Sequence, residues 1–167
     1  MKSTEPAIGL GVEEVFRIVE PLRKTGKTLV TTNGCFDLLH MGHVTYLRDA
    51  ALLGDIFVVG INSDRSVAQL KGPSRPICTE RDRAGVISSL KPVDYVFIFD
   101  ESDPCDFLAV LRPDVHVKGG DYTPDKLPET EVVERFGGRV AIVPFTEGYS
   151  TTRIIAAVQQ NSTDTEE

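Results

Sequence analysis

Five short runs of apolar, mostly β-branched residues recur along the chain with helix-like stretches between them, and this rhythm limits the folds it can adopt. The runs are almost continuously apolar rather than alternating, as strands covered by helices on both faces are. Such βαβ repetition is typical of a parallel sheet. We therefore expect an α/β fold with a Rossmann-like, doubly wound, five-stranded parallel sheet flanked by helices. The expected strands are 29–32, 56–61, 95–99, 115–117 and 140–143.

Proline and aspartate mark the boundaries of two intervening helices. Asp103 and Pro104 are residue types favoured at an N-cap and at the first helical position, which predicts a helix over 104–111. An earlier helix is expected at about 12–23, and Pro21 should kink or shorten it because proline lacks the amide hydrogen of the helical ladder.

The chain length fits a single domain. Its 167 residues lie within the roughly 100–200 expected for one domain, and no internal repeat or low-complexity linker divides them. We expect one domain over 1–167, with its core at about 28–160 and flexible ends at 1–10 and 161–167. The three cysteines are odd in number and widely spaced, so neither a disulfide framework nor a structural zinc site is indicated.

Charge and hydropathy exclude several classes of function. Lys and Arg number 18 against 25 Asp and Glu, and the net charge of -7 argues against a surface that binds a nucleic-acid backbone. No apolar run approaches the roughly 18 residues that cross a bilayer. The start of the sequence also lacks the apolar region of a secretory signal. We therefore expect a cytoplasmic protein with neither a nucleic-acid nor a membrane partner.

The segment TNGCFDLLHMGH, at 32–43, follows the first expected strand and leads into a helix. Ligands of an open parallel sheet bind beyond the carboxyl ends of its strands, so chemistry is expected there. Gly34 and Gly42 permit close approach of the backbone, and the helix start offers free amides to phosphate. His40 and His43 share one face of that helix start, where two imidazoles suit a phosphoryl group that gains negative charge.

Two other interpretations of the histidines stay open. They could form a metal pair, with Cys35 or Asp37 as the third ligand. They could also be helix-capping residues without a ligand. The loop is neither a Walker motif nor a GxGxxG fingerprint, so phosphate binding here would need another mechanism.

Three further loops carry residue types that bind phosphate or a nucleoside. VKGGDY, at 117–122, is a glycine-rich turn after a strand, and its aspartate could accept hydrogen bonds from ribose hydroxyls. TEGYSTT, at 146–152, brings three adjacent hydroxyls to a helix start, although such a cluster is often only an N-cap. LKGPSRP, at 70–76, presents Lys71 and Arg75, which are either solvated or phosphate contacts.

The sequence GCFDLLHMGH, at 34–43, resembles the G[TVC]FDxxHxGH element of the cytidylyltransferase-like nucleotidyltransferases, and TEGYSTT resembles an element that closes their triphosphate site. The resemblance implies a fold of the nucleotidyltransferase (HxGH) type, whose histidines stabilise the transition state at the α-phosphorus. With the loop cations added, the expected catalytic residues are His40, His43 and Lys71. The expected nucleotide-binding residues are Asn33, Gly34, Cys35, Phe36, Gly42, Gly119, Gly120, Asp121, Thr146, Gly148, Ser150, Thr151 and Thr152. The expected acceptor-binding residues are Asp37, Arg75 and Lys118, and no metal ligand is expected from the protein.

The order and spacing of five motifs indicate which group within this superfamily the sequence resembles. TNGCFDLLHMGH, LKGPSRP, VDYVFIFDE, PDVHVKGGDY and TEGYSTT occur as in the bacterial D-glycero-β-D-manno-heptose 1-phosphate adenylyltransferases, over about 28–158. In many bacteria that activity is the carboxyl-terminal half of an enzyme fused to a sugar kinase, and this sequence resembles the stand-alone form. Phe145 replaces an arginine of the CTP-using relatives, and the turn at 118–121 also differs from theirs. Tyr149 stands where the bifunctional enzymes often have a small residue.

The resemblance implies transfer of AMP from ATP, as its Mg²⁺ complex, to heptose 1-phosphate. The products would be ADP-heptose, for the lipopolysaccharide inner core, and pyrophosphate. A glycerol-3-phosphate cytidylyltransferase that uses CTP is the alternative within this enzyme class. A non-catalytic nucleotide-binding module would keep the fold without turnover, and a dinucleotide oxidoreductase is disfavoured because GxGxxG is absent. A homodimer would fit such a fold.

Overall fold

The computed structural model describes residues 10–120, 122–144 and 148–163. The strands are β1 (Leu29–Gly34), β2 (Ile56–Asn62), β3 (Tyr95–Phe99), β4 (Val115–Gly119) and β5 (Arg139–Val143). The α-helices are α1 (Val12–Arg23), α2 (Met41–Ala51), α3 (Asp64–Lys71), α4 (Glu80–Ser88), α5 (Cys105–Leu111), α6 (Pro128–Arg135) and α7 (Thr151–Thr163). A 3-10 turn spans Pro124–Lys126. In the described ranges no helix combines the length and the apolar composition that crossing a membrane requires.

The sheet is parallel throughout, with the strand order β3-β2-β1-β4-β5. β1 lies at the centre, and the chain winds to one side of it through β2 and β3 and to the other through β4 and β5. The expected doubly wound, five-stranded parallel sheet is therefore confirmed. The strand order reverses between β1 and β4, so the ligand crevice is expected at their carboxyl ends.

Helices cover both faces of the sheet, which explains why β2 and β3 are almost entirely apolar and why the polar residues Thr31, Thr32 and His116 are fully buried in the central strands. On one face, Leu47 of α2 and Ile87 of α4 are fully buried in the core. On the other face, Val15 of α1, Leu108 of α5 and Val133 of α6 are equally buried. The two apolar layers hold the strand ends in fixed positions, and the pocket described below is built on those ends.

β1 extends two residues beyond the expected strand. Asn33 pairs in register with Gly60 and Gly34 with Ile61, so parallel pairing with β2 continues into the segment expected to be a loop. The longer strand carries its last two residues directly to the pocket.

Two helix boundaries differ from expectation. Pro21 neither ends nor shortens α1, which continues to Arg23. Because Pro21 is exposed and lies in the last turn, the carbonyl that loses its partner can bind water. α5 begins at Cys105 rather than at Pro104, because Oδ1 of Asp103 accepts the amide of Cys105 at 2.9 Å and Pro104 becomes the N-cap.

Candidate active site

A pocket of about 610 Å³ lies at the carboxyl ends of β1, β2 and β4. Its wall combines residues from the loop before α2, the end of α3, the end of β4 and the start of α7, which are far apart in the sequence. The sequence-predicted site residues that line it are Asn33, Gly34, Cys35, Phe36, Asp37, His43, Lys71, Arg75, Lys118, Gly119, Thr151 and Thr152.

The remaining predicted site residues do not line this pocket or are not described. His40 lies behind His43, as the N-cap of α2. The others that are described but absent from the pocket wall are Gly42, Gly120, Gly148 and Ser150. Two predicted residues, Asp121 and Thr146, lie outside the described ranges.

The two histidine rings of the HxGH segment stack on each other. Their centroids are 3.8 Å apart and their planes are inclined by 16°. Phe36 presents an edge to His43, with ring centroids 5.5 Å apart. The spacing of three residues at a helix start therefore produces a packed pair of imidazoles, of which His43 faces the pocket.

Local hydrogen bonding fixes the tautomer of His40. Its Nδ1 accepts the backbone amide of His43 at 3.4 Å, so the proton of a neutral His40 ring must be on Nε2. His40 therefore caps α2 as well as packing against His43. His40 is thus a helix cap, and no hydrogen bond from its Nε2 is formed with any residue that the structure describes.

Both imidazoles are held in the neutral form. Burial lowers the pKa of His43 to about 4, and the neighbouring His40 ring adds to that effect. Burial also lowers the pKa of His40. Nδ1 of His43 is buried and has no hydrogen-bond partner in the described part of the chain. A polyanion placed against this pair would raise both pKa values, because a nearby negative charge favours the protonated imidazole.

Gly42 is required by close packing. A methyl group at this position would lie 2.9 Å from Cβ of Tyr149 and 3.0 Å from Nδ1 of His40. These separations are shorter than van der Waals contact, so a side chain at Gly42 would push the His40 ring or the segment before α7 out of place.

Asp37 holds the loop rather than presenting free oxygens to the pocket. Its carboxylate accepts Nε of Arg75 at 2.6 Å, the amide of Ile77 at 2.8 Å and the amide of Cys78 at 2.9 Å. Burial alone would raise the pKa of Asp37, but the hydrogen bonds from Cys78, Ile77 and Arg75 outweigh it, and the pKa lies below its usual value. The carboxylate therefore ties the loop before α2 to the loop before α4.

Arg83 of α4 reinforces the same connection, and sequence reasoning missed it. Its side chain is fully buried, and it donates to the carbonyl of Cys35 at 2.5 Å, to the carbonyl of Cys78 at 3.0 Å and to Oδ1 of Asp64 at 2.8 Å. The backbone of Cys78 is thus held by two hydrogen bonds: its amide donates to Asp37, and its carbonyl accepts from Arg83. No spacing pattern distinguishes Arg83 from its charged neighbours in α4.

A hydroxyl network supports the floor of the pocket. Oγ1 of Thr32 and the phenolic oxygen of Tyr46 are 2.6 Å apart, and they lie 2.9 Å and 3.1 Å from the carbonyl of Val117. Burial raises the pKa of Tyr46 to about 12, so its phenol keeps its proton. Tyr46 lines the pocket and was also missed, although its spacing of three from His43 places it on the same helix face.

The three cations of the pocket wall differ in their pairing. Arg75 uses its Nε toward Asp37 and has no recorded bond from its two Nη groups within the described ranges. Nζ of Lys118 lies 2.5 Å from Oε1 of Glu129, a buried carboxylate that sequence reasoning did not single out. Lys71, at the end of α3, makes no ion pair with any residue the structure describes. Lys71 is therefore the cation least compensated by the protein itself.

The start of α7 is attached to the loop before α2. Oγ1 of Thr151 donates to the carbonyl of Leu38 at 3.3 Å, and Oγ of Ser150 accepts the amide of Arg153 at 3.1 Å. Ser150 is therefore an N-cap as expected, whereas Thr151 joins the two predicted phosphate-binding segments.

His116 is not part of this site. It lies on β4, is fully buried, and its Nδ1 is 2.9 Å from Oγ1 of Thr31. Its ring packs near Phe107 of α5, on the sheet face opposite Tyr46. Burial lowers the pKa of His116 to about 3, and its Nε2 has no partner among the described residues. His116 is therefore a packed core histidine rather than a member of the pocket.

No metal cluster is formed by the part of the chain that the structure describes: no three His, Cys, Asp or Glu side chains are placed to hold an ion. In particular, the Asp37 carboxylate is bonded to Arg75 and to backbone amides. The metal-pair interpretation of His40 and His43 therefore has no third ligand in those ranges.

Comparison with known proteins gives a family match across this site. Residues 31–157 match the family described as cytidylyltransferase-like, a range that includes every predicted site residue. The chain is 50% identical over 146 residues to the bifunctional protein HldE of Syntrophotalea carbinolica, and 52% identical over 145 residues to that of Geotalea uraniireducens. Each match covers 87% of this chain, and the chain spans 30% of the length of these relatives.

Two solved structures are similar. A lipopolysaccharide core biosynthesis protein from Thermoplasma volcanium is 31% identical with a TM-score of 0.58, and the match covers 75% of this chain and 100% of that one. A pantoate-beta-alanine ligase from Francisella tularensis has a TM-score of 0.59 at 12% identity, covering 86% of this chain and 68% of that one. At that identity the second likeness shows the fold alone.

Proposed function

The chain belongs to the cytidylyltransferase-like family, and from this premise we propose that it transfers AMP from ATP to D-glycero-β-D-manno-heptose 1-phosphate. The products are ADP-D-glycero-β-D-manno-heptose and pyrophosphate. Support comes from the ordered motifs that resemble the heptose 1-phosphate adenylyltransferases and from identity of about half to bifunctional proteins HldE. Because the chain spans 30% of the length of those relatives, the substrates are proposed for this chain rather than transferred from them.

One observation carries the proposal: His40 and His43 stack at the start of α2, and His43 faces a pocket that also holds Lys71, Arg75 and Lys118. Neutral imidazoles that can donate hydrogen bonds, beside cations, suit a phosphoryl group whose negative charge increases in the transition state. A site without this pair could bind a nucleotide, but it would lack donors at the reacting phosphorus.

The reaction needs no general base from the protein. The acceptor is a phosphate monoester, whose second pKa is about 6, so its oxygen is mostly deprotonated near neutral pH. That oxygen attacks the α-phosphorus of ATP in line. A new bond forms between the acceptor oxygen and the α-phosphorus. The bond between the α-phosphorus and the oxygen that bridges it to the β-phosphorus breaks, and pyrophosphate leaves with the electron pair of that bond. The main obstacle is repulsion between two anions.

The pocket residues reduce that repulsion and align the reactants. We assign His40, His43 and Lys71 to the reacting α-phosphate, and the Nη groups of Arg75 and the ammonium of Lys118 to the acceptor. Asp37 acts on the acceptor through Arg75. The proposed nucleotide contacts are Asn33, Gly34, Cys35, Phe36, Gly42, Gly119, Gly120, Asp121, Thr146, Gly148, Ser150, Thr151 and Thr152.

Mg²⁺ is proposed to arrive bound to the triphosphate. The described residues offer no cluster of their own for an ion, and Mg²⁺ is commonly held by substrate phosphates with few protein ligands. When present it would neutralise phosphate charge. Titration of ATP and Mg²⁺ separately tests this point, because the protein should bind the metal alone only weakly.

The product's proposed use is the supply of heptose to the lipopolysaccharide inner core. A lipopolysaccharide core biosynthesis protein among the similar structures supports this role. We also propose a cytoplasmic enzyme that works as a homodimer, and sedimentation velocity over a range of concentrations tests the second point.

The deciding experiment measures pyrophosphate release for ATP or CTP against heptose 1-phosphate or glycerol 3-phosphate. We expect turnover only with ATP and the heptose phosphate. Turnover with CTP and glycerol 3-phosphate would overturn the nucleotide and acceptor assignments while keeping the chemistry. Binding of ATP without pyrophosphate release from any pair would instead indicate a non-catalytic nucleotide-binding module.

A further inference from the structure

Tyr149 packs beside the histidine pair from the segment that leads into α7. The centroids of the Tyr149 and His40 rings are 6.1 Å apart and their planes are inclined by 21°. The His40 ring in turn stacks on the His43 ring, and the His43 ring makes a T-shaped contact with the ring of Phe36. The ring contacts thus run without interruption from the start of α7 to the loop that lines the pocket.

The backbone at Gly42 makes this approach possible. Cβ of Tyr149 lies so close to Gly42 that a methyl group there would be only 2.9 Å away. A second link is the hydrogen bond from Thr151 to the carbonyl of Leu38. The close packing against Gly42 and the hydrogen bond from Thr151 therefore fix the position of Tyr149 relative to the start of α2. They also set the distance between the rings of Tyr149 and His40.

We propose that Tyr149 is a positioning residue, which holds the His40 ring against His43 and shields it from water so that both imidazoles stay aligned for the α-phosphate. This role rests on the proposed adenylyl transfer. The Tyr149 side chain suits the task because one part of it packs against Gly42 and His40, while the residue remains 49% exposed. It needs no contact with substrate, and Tyr149 does not line the pocket.

The surroundings of His40 make the proposal measurable. Among the residues that the structure describes, the titratable side chains in contact with His40 are His43, from α2, and Tyr149, from the segment before α7. No ion pair to His40 is recorded in the described ranges. Burial is the main cause of its lowered pKa, so removing a covering ring should move that pKa back toward 6.5.

The test is an NMR titration of the imidazole rings in the whole chain, which has only three histidines. We expect Tyr149→Ala to raise the pKa of His40 toward 6.5 and Tyr149→Phe to leave it unchanged, because the ring rather than the hydroxyl provides the cover. The buried His116 reports on an intact fold and should not shift. Leu52→Ala is the matched control, since Leu52 caps the other end of α2 and is 78% exposed.

A kinetic measurement separates this role from a purely structural one. Tyr149→Ala should lower kcat about tenfold through misalignment, with KM for ATP changed less than about twofold, and Tyr149→Phe should restore kcat. An unchanged His40 titration in Tyr149→Ala, or equal shifts in the Ala and Phe variants, would overturn the proposal. The NMR titration needs no turnover, so it tests the contact between Tyr149 and His40 even if no substrate pair releases pyrophosphate. Tyr149→Leu repeats the comparison should the alanine variant fold poorly.

Discussion

Nε of Arg75 lies 2.6 Å from Oδ2 of Asp37 in the wall of the pocket. This contact, together with two backbone amides on the same carboxylate, aligns the guanidinium so that its Nη groups remain for a ligand. The carboxylate of Asp37, in the segment GCFDLLHMGH, therefore orients an arginine that lies 38 residues away in the sequence.

Asp37→Asn should weaken acceptor binding and lower stability together. The amide keeps one acceptor oxygen but loses the charge that orients Arg75, so we expect a higher KM for the acceptor and a loss of about 2 kcal/mol in the free energy of unfolding. Asp49→Asn is the control, since the ion pair of Asp49 within the described ranges is with its exposed neighbour Arg48. Steady-state kinetics and urea unfolding measure both effects, and an unaltered acceptor KM would contradict the role assigned to Asp37.

His43→Ala should reduce turnover by about 10² or more, the scale expected when one transition-state donor is lost. Circular dichroism should show an intact fold. Met41→Ala, within the same HMGH segment but at an exposed position, should retain wild-type turnover. A folded His43→Ala enzyme with normal kcat would refute the catalytic role.

Arg83→Met should destabilise the protein by about 3 kcal/mol, because the carbonyls of Cys35 and Cys78 lose a buried donor. Arg65→Met provides the comparison: Arg65 pairs with Asp100 at the surface, and such pairs contribute at most about 1 kcal/mol. Chemical denaturation of both variants gives the difference. Equal losses of unfolding free energy in the two variants would show that the buried contacts of Arg83 contribute no more to stability than the surface pair of Arg65.

His116 should make stability depend on pH below neutrality. Its pKa is about 3 in the folded protein and about 6.5 when exposed, so between those values the unfolded chain binds a proton that the folded chain does not. Stability therefore falls as the pH decreases through this window, by up to about 1.4 kcal/mol per pH unit from this group. His43 contributes in the same direction between about 6.5 and about 4.

The comparison with His116→Phe isolates this contribution. Between pH 7 and pH 5, wild type should lose about 2 kcal/mol more unfolding free energy than the variant, whereas between pH 8 and pH 7 the two should change in parallel. Urea unfolding at each pH supplies the values. Identical losses down to pH 5 would show that His116 is not kept neutral by the fold.

Cys35 should become protected from alkylation when ATP binds. It lines the pocket, and burial raises the pKa of its thiol, so its reaction with iodoacetamide should be slow even without ligand. Cys105 does not line the pocket and serves as the internal reference, labelled over a long incubation because burial and Asp103 raise the pKa of its own thiol to about 11. Peptide mass spectrometry should show slower labelling of Cys35, relative to Cys105, in the presence of ATP. Equal protection of both thiols would argue for a general stabilisation of the fold instead.

The fold was predictable because its cause is local. Each strand contains a short run of β-branched or apolar residues, and the alternation of these runs with helices favours a parallel sheet. The spacing of His40 and His43 likewise placed both rings on one helix face, and the structure stacks them. The family could be recognised from the same motif, and the match over 31–157 confirms it.

The supporting residues were not predictable because their roles depend on distant partners. Arg83 belongs to a charged run typical of an exposed helix, and its burial follows from tertiary contacts with the carbonyl of Cys35, 48 residues earlier, and with Asp64, 19 residues earlier. The contacts of Asp37 could not be predicted either, since a sequence cannot show that Arg75 and backbone amides some 40 residues later bond to its carboxylate. The ion pair between Lys118 and Glu129 was not predictable for the same reason, because it joins β4 to α6 and depends on how these elements pack.

The pairing of β1 with β4 also governs when the pocket can exist during folding. Thr31 and His116 meet across 85 residues of sequence, so a long loop must close before the central strand gains its second neighbour. A chain emerging from the ribosome only as far as β3 would have the histidines but not Lys118 or the threonines of α7. Nucleotide binding can therefore stabilise only a chain in which β4 and the start of α7 are already in place.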